Sequence, residues 1–396
     1  MKSDLDLSAL GALPQKNRFA PPAFLAMGFR PFFFGGVLLA ALALPLWAMV
    51  LHTGWGASLM PPQPFWHARE MLFGFGMAID AGFLLTAIVN WSGRTTTTPL
   101  GLASLFSLWV LTRGLSFGGA SPELIASAHG LFVAALAFTC ARSLWGNPKH
   151  RLNLLIFIPI LSLLGLCGVM SLLGAEPQRW LIAGLDLHLL LILVMAGRVV
   201  PSFTAVMIPG WTAERFPRLE KAVALAFVLG VFLQMAGLVL PAALAFVACA
   251  TVLPVLLRGI WHRAILGIPM LWVLHAGLAF LPLGLLLRAS ALCGWLPMDA
   301  AIHCLAAGTM SVVILGMIWR VTLGHGGRPI QAGRAGKTAF LLIIAAALIR
   351  TAEPLLPELS RWLYSIAGLA AMSALLIYLA VHGRSLFLAR ADGKPG

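Results

Sequence analysis

Apolar stretches of about twenty residues recur from one end of the sequence to the other. A stretch of that length forms one membrane-spanning helix, because the hydrocarbon core of a bilayer is about 30 Å thick. Of the 396 residues, 60% are hydrophobic and only 10% are charged, whereas ordinary soluble domains carry about 25% charged residues. So little polar surface cannot keep a chain of this size in water. The sequence therefore predicts an all-α fold, a polytopic bundle of transmembrane helices in the lipid bilayer.

We count about twelve spans along the chain. Their predicted limits are residues 31–52, 67–89, 100–117, 122–145, 152–174, 180–208, 221–239, 241–257, 267–290, 300–322, 337–352 and 362–382. The pair on either side of Pro241 could also be one re-entrant hairpin, but "LVLPA" between two apolar runs favours a tight turn. The expected organisation is an N-terminal tail (1–30) without a cleavable signal peptide, one transmembrane domain (31–384) and a C-terminal tail (385–396).

The net charge of +14 would suit a nucleic-acid-binding protein, but its distribution indicates membrane topology instead. With a cytosolic N-terminus, twenty of the 27 Lys and Arg residues fall on the cytosolic side and six on the other, while Arg198 lies within the sixth span. An excess of Lys and Arg in cytosolic segments is the positive-inside rule. It predicts an even number of spans with both termini cytosolic, and it excludes nucleic acid as the reason for the basic charge.

Four histidines fall in the outer half of the predicted bundle, each on a different span. His67 begins the second span, and Glu70 follows it three residues later in "HAREMLFGFG". The others lie on the fourth, sixth and tenth spans: His129, His188 and His303. At 1.5 Å per residue their depths differ by no more than roughly 12 Å, so they can converge on one or two centres. A single buried histidine is as often bonded to a neighbouring helix, but four in one membrane half favour a functional site.

Imidazole is a common ligand of haem iron and copper, and both metals tolerate apolar surroundings. We therefore predict that the four histidines and Glu70 form a metal region in which at least one histidine pair brackets a haem. Two histidines toward the cytosolic side, His275 and His325, are second choices as ligands. By contrast, three histidines beside Lys and Arg at cytosolic span ends are expected to be solvated: His150, His262 and His382.

Arginines at the depth of the metal region, or at cytosolic span ends, are candidates for binding haem propionates, because a guanidinium pairs well with a carboxylate. They are Arg69, Arg113, Arg179, Arg198, Arg320 and Arg328. The glycine-rich "RVTLGHGGRP" is expected to form an ordered, anion-accepting cap, or else a basic loop that holds the topology. A transporter is the alternative function class, because the proline-interrupted "RVVPSF" and "MIPGW" could line a path through the membrane.

Several motifs, in order along the chain, resemble the NnrS family. They are "GFRPFF" (28–33), "WHAREMLFGFGMAIDAGFLLTAIVNWSGR" (66–94), "GRVVPSFT" (197–204), "HCLAAGTM" (303–310) and "RVTLGHGGRP" (320–329). The resemblance covers essentially the whole chain. In one place this chain differs, since Arg69 stands where the family pattern leads us to expect a histidine, which leaves one ligand fewer near Glu70.

The resemblance implies a twelve-span protein of the bacterial inner membrane that contains haem, expected to be b-type, and copper. It further implies a role in denitrification or in the response to nitric oxide and nitrosative stress, with nitric oxide as a small-molecule ligand. Electron transfer would require a redox partner, which the sequence does not identify. The sequence also leaves open whether the protein turns nitric oxide over, as a haem-dependent oxidoreductase would. In the transporter alternative, the histidines would be transient ligands of a transported metal, which the sequence does not identify.

Overall fold

The computed structural model describes residues 22–54, 65–146 and 148–394, within which the chain forms twelve long helices and no β-strand. Numbered in chain order, they are α1 (Phe29–Thr53), α2 (Trp66–Ser92), α3 (Pro99–Phe117), α4 (Pro122–Leu144), α5 (Arg151–Leu173), α6 (Pro177–Met207), α7 (Pro217–Met235), α8 (Val239–Gly259), α9 (Pro269–Leu292), α10 (Met298–His325), α11 (Gly333–Ala352) and α12 (Ser360–Leu386). Each predicted span corresponds to one helix, so the predicted helical bundle is confirmed. Most of the predicted N-terminal tail, residues 1–21, and residues 395–396 lie outside the described residues.

Eleven of the twelve described helices are long and apolar enough to cross a membrane, which makes the chain a multi-pass membrane protein. The remaining helix is α7, which carries Arg218, Glu220 and Lys221 within its first five residues. Charged side chains at the end of a span can extend to the membrane surface, so this composition is compatible with a spanning helix.

The turn between α7 and α8 lies a few residues before its predicted position. It is formed by Ala236–Leu238, with Gly237 at φ +77° and the Leu238 amide donating to the carbonyl of Leu233. Pro241 instead lies in the first turn of α8. A proline is tolerated there because an N–H in the first turn of a helix has no acceptor within that helix.

Helix α2 lies in the interior of the bundle, while α12 is at its periphery. Of the most apolar stretch of each helix, 83% is buried in α2 and 22% in α12. Small residues allow α1 to approach α2 closely: a Cβ on Gly36 would lie 3.0 Å from that of Ala78, and one on Gly82 would lie 2.9 Å from the Phe33 ring. The small residues Ala78 and Gly82 of α2 therefore pack against α1.

Two helices contain π-helical segments, Glu70–Gly76 in α2 and Cys304–Met310 in α10. Both segments pack against α6 in the middle of the bundle. A π-helical segment bonds each amide to the carbonyl five residues earlier, and such segments are frequent at functional sites. They also change the angular position of every later side chain relative to a regular α-helix. A helical face that is predicted with a constant angle per residue is therefore wrong after such a segment.

The two ends of the bundle meet at one face. Arg30, placed in the N-terminal tail by the sequence analysis, is the second residue of α1 and is buried. Its Nη1 donates to the carbonyls of Leu386 (3.1 Å) and Leu388 (2.5 Å) at the end of α12. On the same face, the amide of Ala391 donates to the carbonyl of Gly326 after α10. Both described ends and the α10–α11 loop therefore lie on one side of the membrane.

Candidate functional site

His67 and His303 are close enough to interact electrostatically. His303 immediately precedes the π-helical segment of α10, and His67 lies three residues before that of α2. The Nδ1 atom of His303 lies 2.7 Å from the carbonyl of Asp299. A carbonyl only accepts, so Nδ1 carries the hydrogen and Nε2 of the neutral ring keeps its lone pair. The His67 ring stacks on Trp47 at 5.7 Å, and its buried Nδ1 has no hydrogen-bond partner among the described residues. The pair therefore offers nitrogen atoms that a metal can use.

Arg350 on α11 interacts electrostatically with both of these imidazoles. Its guanidinium bonds to Glu353, which also accepts a hydrogen bond from Ser360. Arg350 is not among the arginines predicted from the sequence to bind propionates. Its proximity to His303 depends on the packing of α11 against α10, because the two residues lie far apart along the chain.

His129 lies in a second place, and both of its ring nitrogens are buried without a hydrogen-bond partner among the described residues. The ring packs on Phe73 at 5.6 Å and occupies space that a side chain at Gly168 would fill. It lines a cavity of about 10 Å³ together with Arg69, Glu70 and other residues. That volume is close to the minimum for one water-sized ligand.

Glu70 is fully enclosed beside this cavity. One carboxylate oxygen accepts from Arg113 Nη1 at 2.9 Å and the other from Ser116 Oγ at 2.7 Å. Arg69 also interacts electrostatically with the Glu70–Arg113 pair. Two of the arginines predicted to bind propionates therefore surround a protein carboxylate.

His188 belongs to neither place, and both of its nitrogens face other groups. Nε2 lies 3.1 Å from the carbonyl of Leu72, and Nδ1 lies 2.8 Å from Oδ2 of Asp80. A metal could bind this ring only after one of these contacts was broken.

The second-choice histidines are also engaged. The two nitrogens of His275 lie 3.0 Å and 3.2 Å from the carbonyls of Leu271 and Ile260. His325 lies 3.5 Å from the side-chain amide of Asn90 and packs on Phe29 at 5.7 Å. Neither residue joins the two places described above.

His382 was expected to be solvated, and that prediction was wrong. The residue is buried, its Nε2 has no hydrogen-bond partner among the described residues, and its ring stands perpendicular to Trp319 at 4.5 Å. Tyr378 lies 5.1 Å away on the same helix. Distance along a span gives depth but not direction, and α12 directs this side chain toward α10.

Arg198 and Arg320 lie in the C-terminal parts of α6 and α10. Arg198 donates to the side chain of Asn153 at 2.8 Å, and Arg320 lies 3.4 Å from the centre of the Phe203 ring. Arg179, at the other end of α6, donates to Glu176 and to the carbonyl of Met235. These three arginines are therefore held by protein groups.

The segment around Arg328 forms an ordered cap. The Arg328 amide donates to the carbonyl of Leu323, and Gly327, at φ +68°, lies against the Asp392 carboxylate. The Arg390 guanidinium, hydrogen-bonded to Asp392, holds the pKa of that carboxyl well below its usual range. An anion does therefore lie beside the glycine-rich turn, and it comes from the chain itself.

A cavity of about 820 Å³ opens between α6, α7 and α9 at the end opposite to this cap. It is lined in part by a buried ion pair, in which Arg288 bonds both oxygens of Asp186 and also Gln234, at 2.8 Å. No histidine is among its described lining residues. This cavity is therefore separate from the two histidine places.

Within the described part of the chain, no three His, Cys, Asp or Glu side chains come together as a closed metal site. The fold defines the class of the protein, a multi-pass α-helical membrane protein with ionisable side chains in its interior. The family model described as NnrS protein matches residues 23–390, so this chain belongs to the NnrS family. The resemblance found in the sequence is thereby confirmed. No curated protein matches the chain.

Proposed function

We propose that this protein binds haem through His67 and His303 and acts in the response to nitric oxide in the bacterial inner membrane. At the haem it binds nitric oxide or transfers electrons. The observation that supports this most strongly is the histidine pair itself, with a free Nε2 on His303 and a buried, unpartnered Nδ1 on His67 within the described structure. Haem iron needs only one or two protein ligands, so a site without a third ligand suits it.

The surrounding residues have clear tasks in this proposal. The carbonyl of Asp299 fixes the orientation and tautomer of His303. In metal-binding histidines, the ring nitrogen that does not bind the metal commonly makes such a hydrogen bond. Trp47 holds the ring of His67 by stacking. Arg350, which interacts with both imidazoles, is the arginine that we assign to a propionate. Bound haem supplies a redox-active iron that binds diatomic gases, and no CxxCH sequence is present to attach it covalently.

We assign copper to the second place, beside His129. Its two unpartnered nitrogens and the Glu70 carboxylate line one small cavity, and imidazole with carboxylate is a donor set that copper accepts. His188 is not part of either assignment, because the single lone pair of its neutral ring already faces Asp80, whereas each Glu70 oxygen keeps a second lone pair beside the hydrogen bond that it accepts. Catalytic turnover of nitric oxide would in addition require a redox partner.

Single alanine substitutions test these assignments. His67→Ala and His303→Ala should lower the Soret absorbance per protein, and His129→Ala should lower the copper content. Loss of a ligand or of its supporting group typically lowers metal affinity about 10- to 100-fold or more. His150→Ala and His262→Ala are the controls, and both should keep full haem and copper.

The proposal fails if the three variants retain haem and copper while His275→Ala or His325→Ala loses them. It also fails if the purified wild-type protein has no Soret band. In that case, uptake of copper or another divalent metal into proteoliposomes would favour the transporter alternative.

A further inference from the structure

His188 and Asp80 lie in contact in the middle of the membrane-spanning region. His188 is the twelfth residue of α6 and Asp80 the fifteenth of α2, which places them roughly 17 and 21 Å from the first residues of their helices. His188 is 2% exposed, and the side chain of Asp80 is 13% exposed. Neither residue is used by the proposed haem or copper site.

One hydrogen on His188 is fixed by its neighbour in the π-helical segment of α2. Nε2 lies 3.1 Å from the carbonyl of Leu72, inside the segment Glu70–Gly76. A carbonyl can only accept a hydrogen bond, so Nε2 carries a hydrogen. A neutral imidazole has a single N–H, and its Nδ1 then presents a lone pair.

That lone pair would face another acceptor. Nδ1 lies 2.8 Å from Oδ2 of Asp80, a buried oxygen for which the described residues provide no hydrogen bond, and an ionised carboxylate only accepts. Two acceptors at this distance repel each other unless a hydrogen lies between them. The hydrogen is either on Nδ1, as imidazolium and carboxylate, or on Oδ2, as imidazole and carboxylic acid.

The charges nearby lead to the same conclusion. No Arg or Lys of the described residues lies within ion-pair distance of Asp80. Two other acidic groups on the same two helices are paired elsewhere, Glu70 of α2 with Arg113 and Asp186 of α6 with Arg288. An ionised carboxylate in the membrane interior is costly without a counter-charge, so Asp80 needs either a cationic His188 or a proton of its own.

The remaining neighbours of the pair do not compensate its charge. A Cβ on Gly76 would meet the Met310 methyl group and the His188 ring, so an uncharged thioether covers this side. Among the described residues, His188 is therefore the ionisable group that can compensate the charge of Asp80.

We propose that His188 and Asp80 form a proton-binding site in the membrane interior, which holds one proton between Nδ1 and Oδ2. Transfer along this line breaks the N–H bond as the O–H bond forms, and the pair stays neutral overall in both forms. Release of the proton leaves a net charge of −1 on the pair. Pairs of carboxylate and imidazole inside membranes are the groups that pass protons in pumps and transporters. The proposal does not depend on haem or copper.

Two spectroscopic measurements on the intact protein test it. In protein labelled with ¹⁵N-histidine and ¹³Cγ-aspartate, magnetisation transfer from the carboxyl carbon to Nδ1 identifies His188 without any substitution. Infrared spectra in H₂O and D₂O then report protonated carboxyl groups. We expect either hydrogens on both nitrogens of His188 or a carboxylic acid band that disappears in Asp80→Asn.

Two further variants serve as partner and control. His188→Gln removes the imidazole, so Asp80 should then carry a proton of its own and show a carboxylic acid band, while Glu176→Gln, at an exposed carboxylate, should leave the wild-type signals unchanged. A neutral His188 with a bare Nδ1, together with no carboxylic acid band, would overturn the proposal. This outcome can be read from the wild-type protein alone, whether or not the variants fold.

Discussion

At the scale of single residues, the decisive property of each histidine is which nitrogen atoms remain available. His188 and His275 are as buried as His129, yet their nitrogens face oxygen atoms, whereas those of His129 face none among the described residues. Depth in the membrane, which the sequence provides, does not separate these cases. The difference comes from carbonyl groups on neighbouring helices, such as those of Leu72 and Ile260.

The Glu70–Arg113 pair should matter more for stability than any exposed pair. Arg113→Ala leaves the Glu70 carboxylate buried without its counter-charge, and breaking a buried pair in this way costs about 3–5 kcal/mol. Arg215→Ala, which removes an exposed partner of Glu220, should cost about 1 kcal/mol or less. Unfolding of both variants by denaturant titration in detergent measures the difference. Equal losses would show that Glu70 is not held as described.

At the scale of helices, the two π-helical segments organise the interior. The segment in α2 turns carbonyls toward neighbouring helices: that of Leu72 faces His188, and that of Gly74 accepts from Trp109 Nε1 at 3.0 Å. The segment in α10 begins directly after His303. Both candidate metal places thus adjoin a stretch of irregular backbone, in which side chains of other helices satisfy carbonyl groups.

The crossing of α9 and α10 depends on glycine at position 277. A Cβ there would lie 2.9 Å from the backbone nitrogen of Val313, which cannot move aside as a side chain can. Gly277→Ala should therefore destabilise the protein by about 1–3 kcal/mol. In Gly368→Ala, nothing lies within 4 Å of the new Cβ, and alanine should stabilise α12 by up to about 1 kcal/mol. Thermal unfolding in detergent compares the two, and a stable Gly277→Ala would contradict this packing.

The sequence predicted every helix but only part of the site. Span number and limits follow from apolar length, which is a local property of the chain. The pairing of His188 with Asp80 and the position of Arg350 are contacts between distant segments, so they depend on helix directions that length does not define. The π-helical segments add to this, because they change the direction of later side chains on α2 and α10 in a way that apolar length does not indicate.

At the scale of the whole molecule, the structure places both described ends and the α10–α11 loop on one face, and the charge distribution predicts that this face is cytosolic. In whole cells, a cysteine introduced at position 328 in a Cys293→Ser background should resist a membrane-impermeant thiol reagent. Native Cys293, which is exposed at the opposite end of the bundle, should react and is the matched control. Labelling of position 328 without permeabilisation would reverse the topology.

The contact between Arg30 and the end of α12 also has a consequence for biosynthesis. A ribosome completes α1 long before it reaches Leu386 and Leu388, whose carbonyls Arg30 binds. Chains fold as they are made, N-terminal parts first, so this contact is among the last to form. Insertion of α12, and not of any earlier span, is therefore the step at which the first helix acquires its final neighbour.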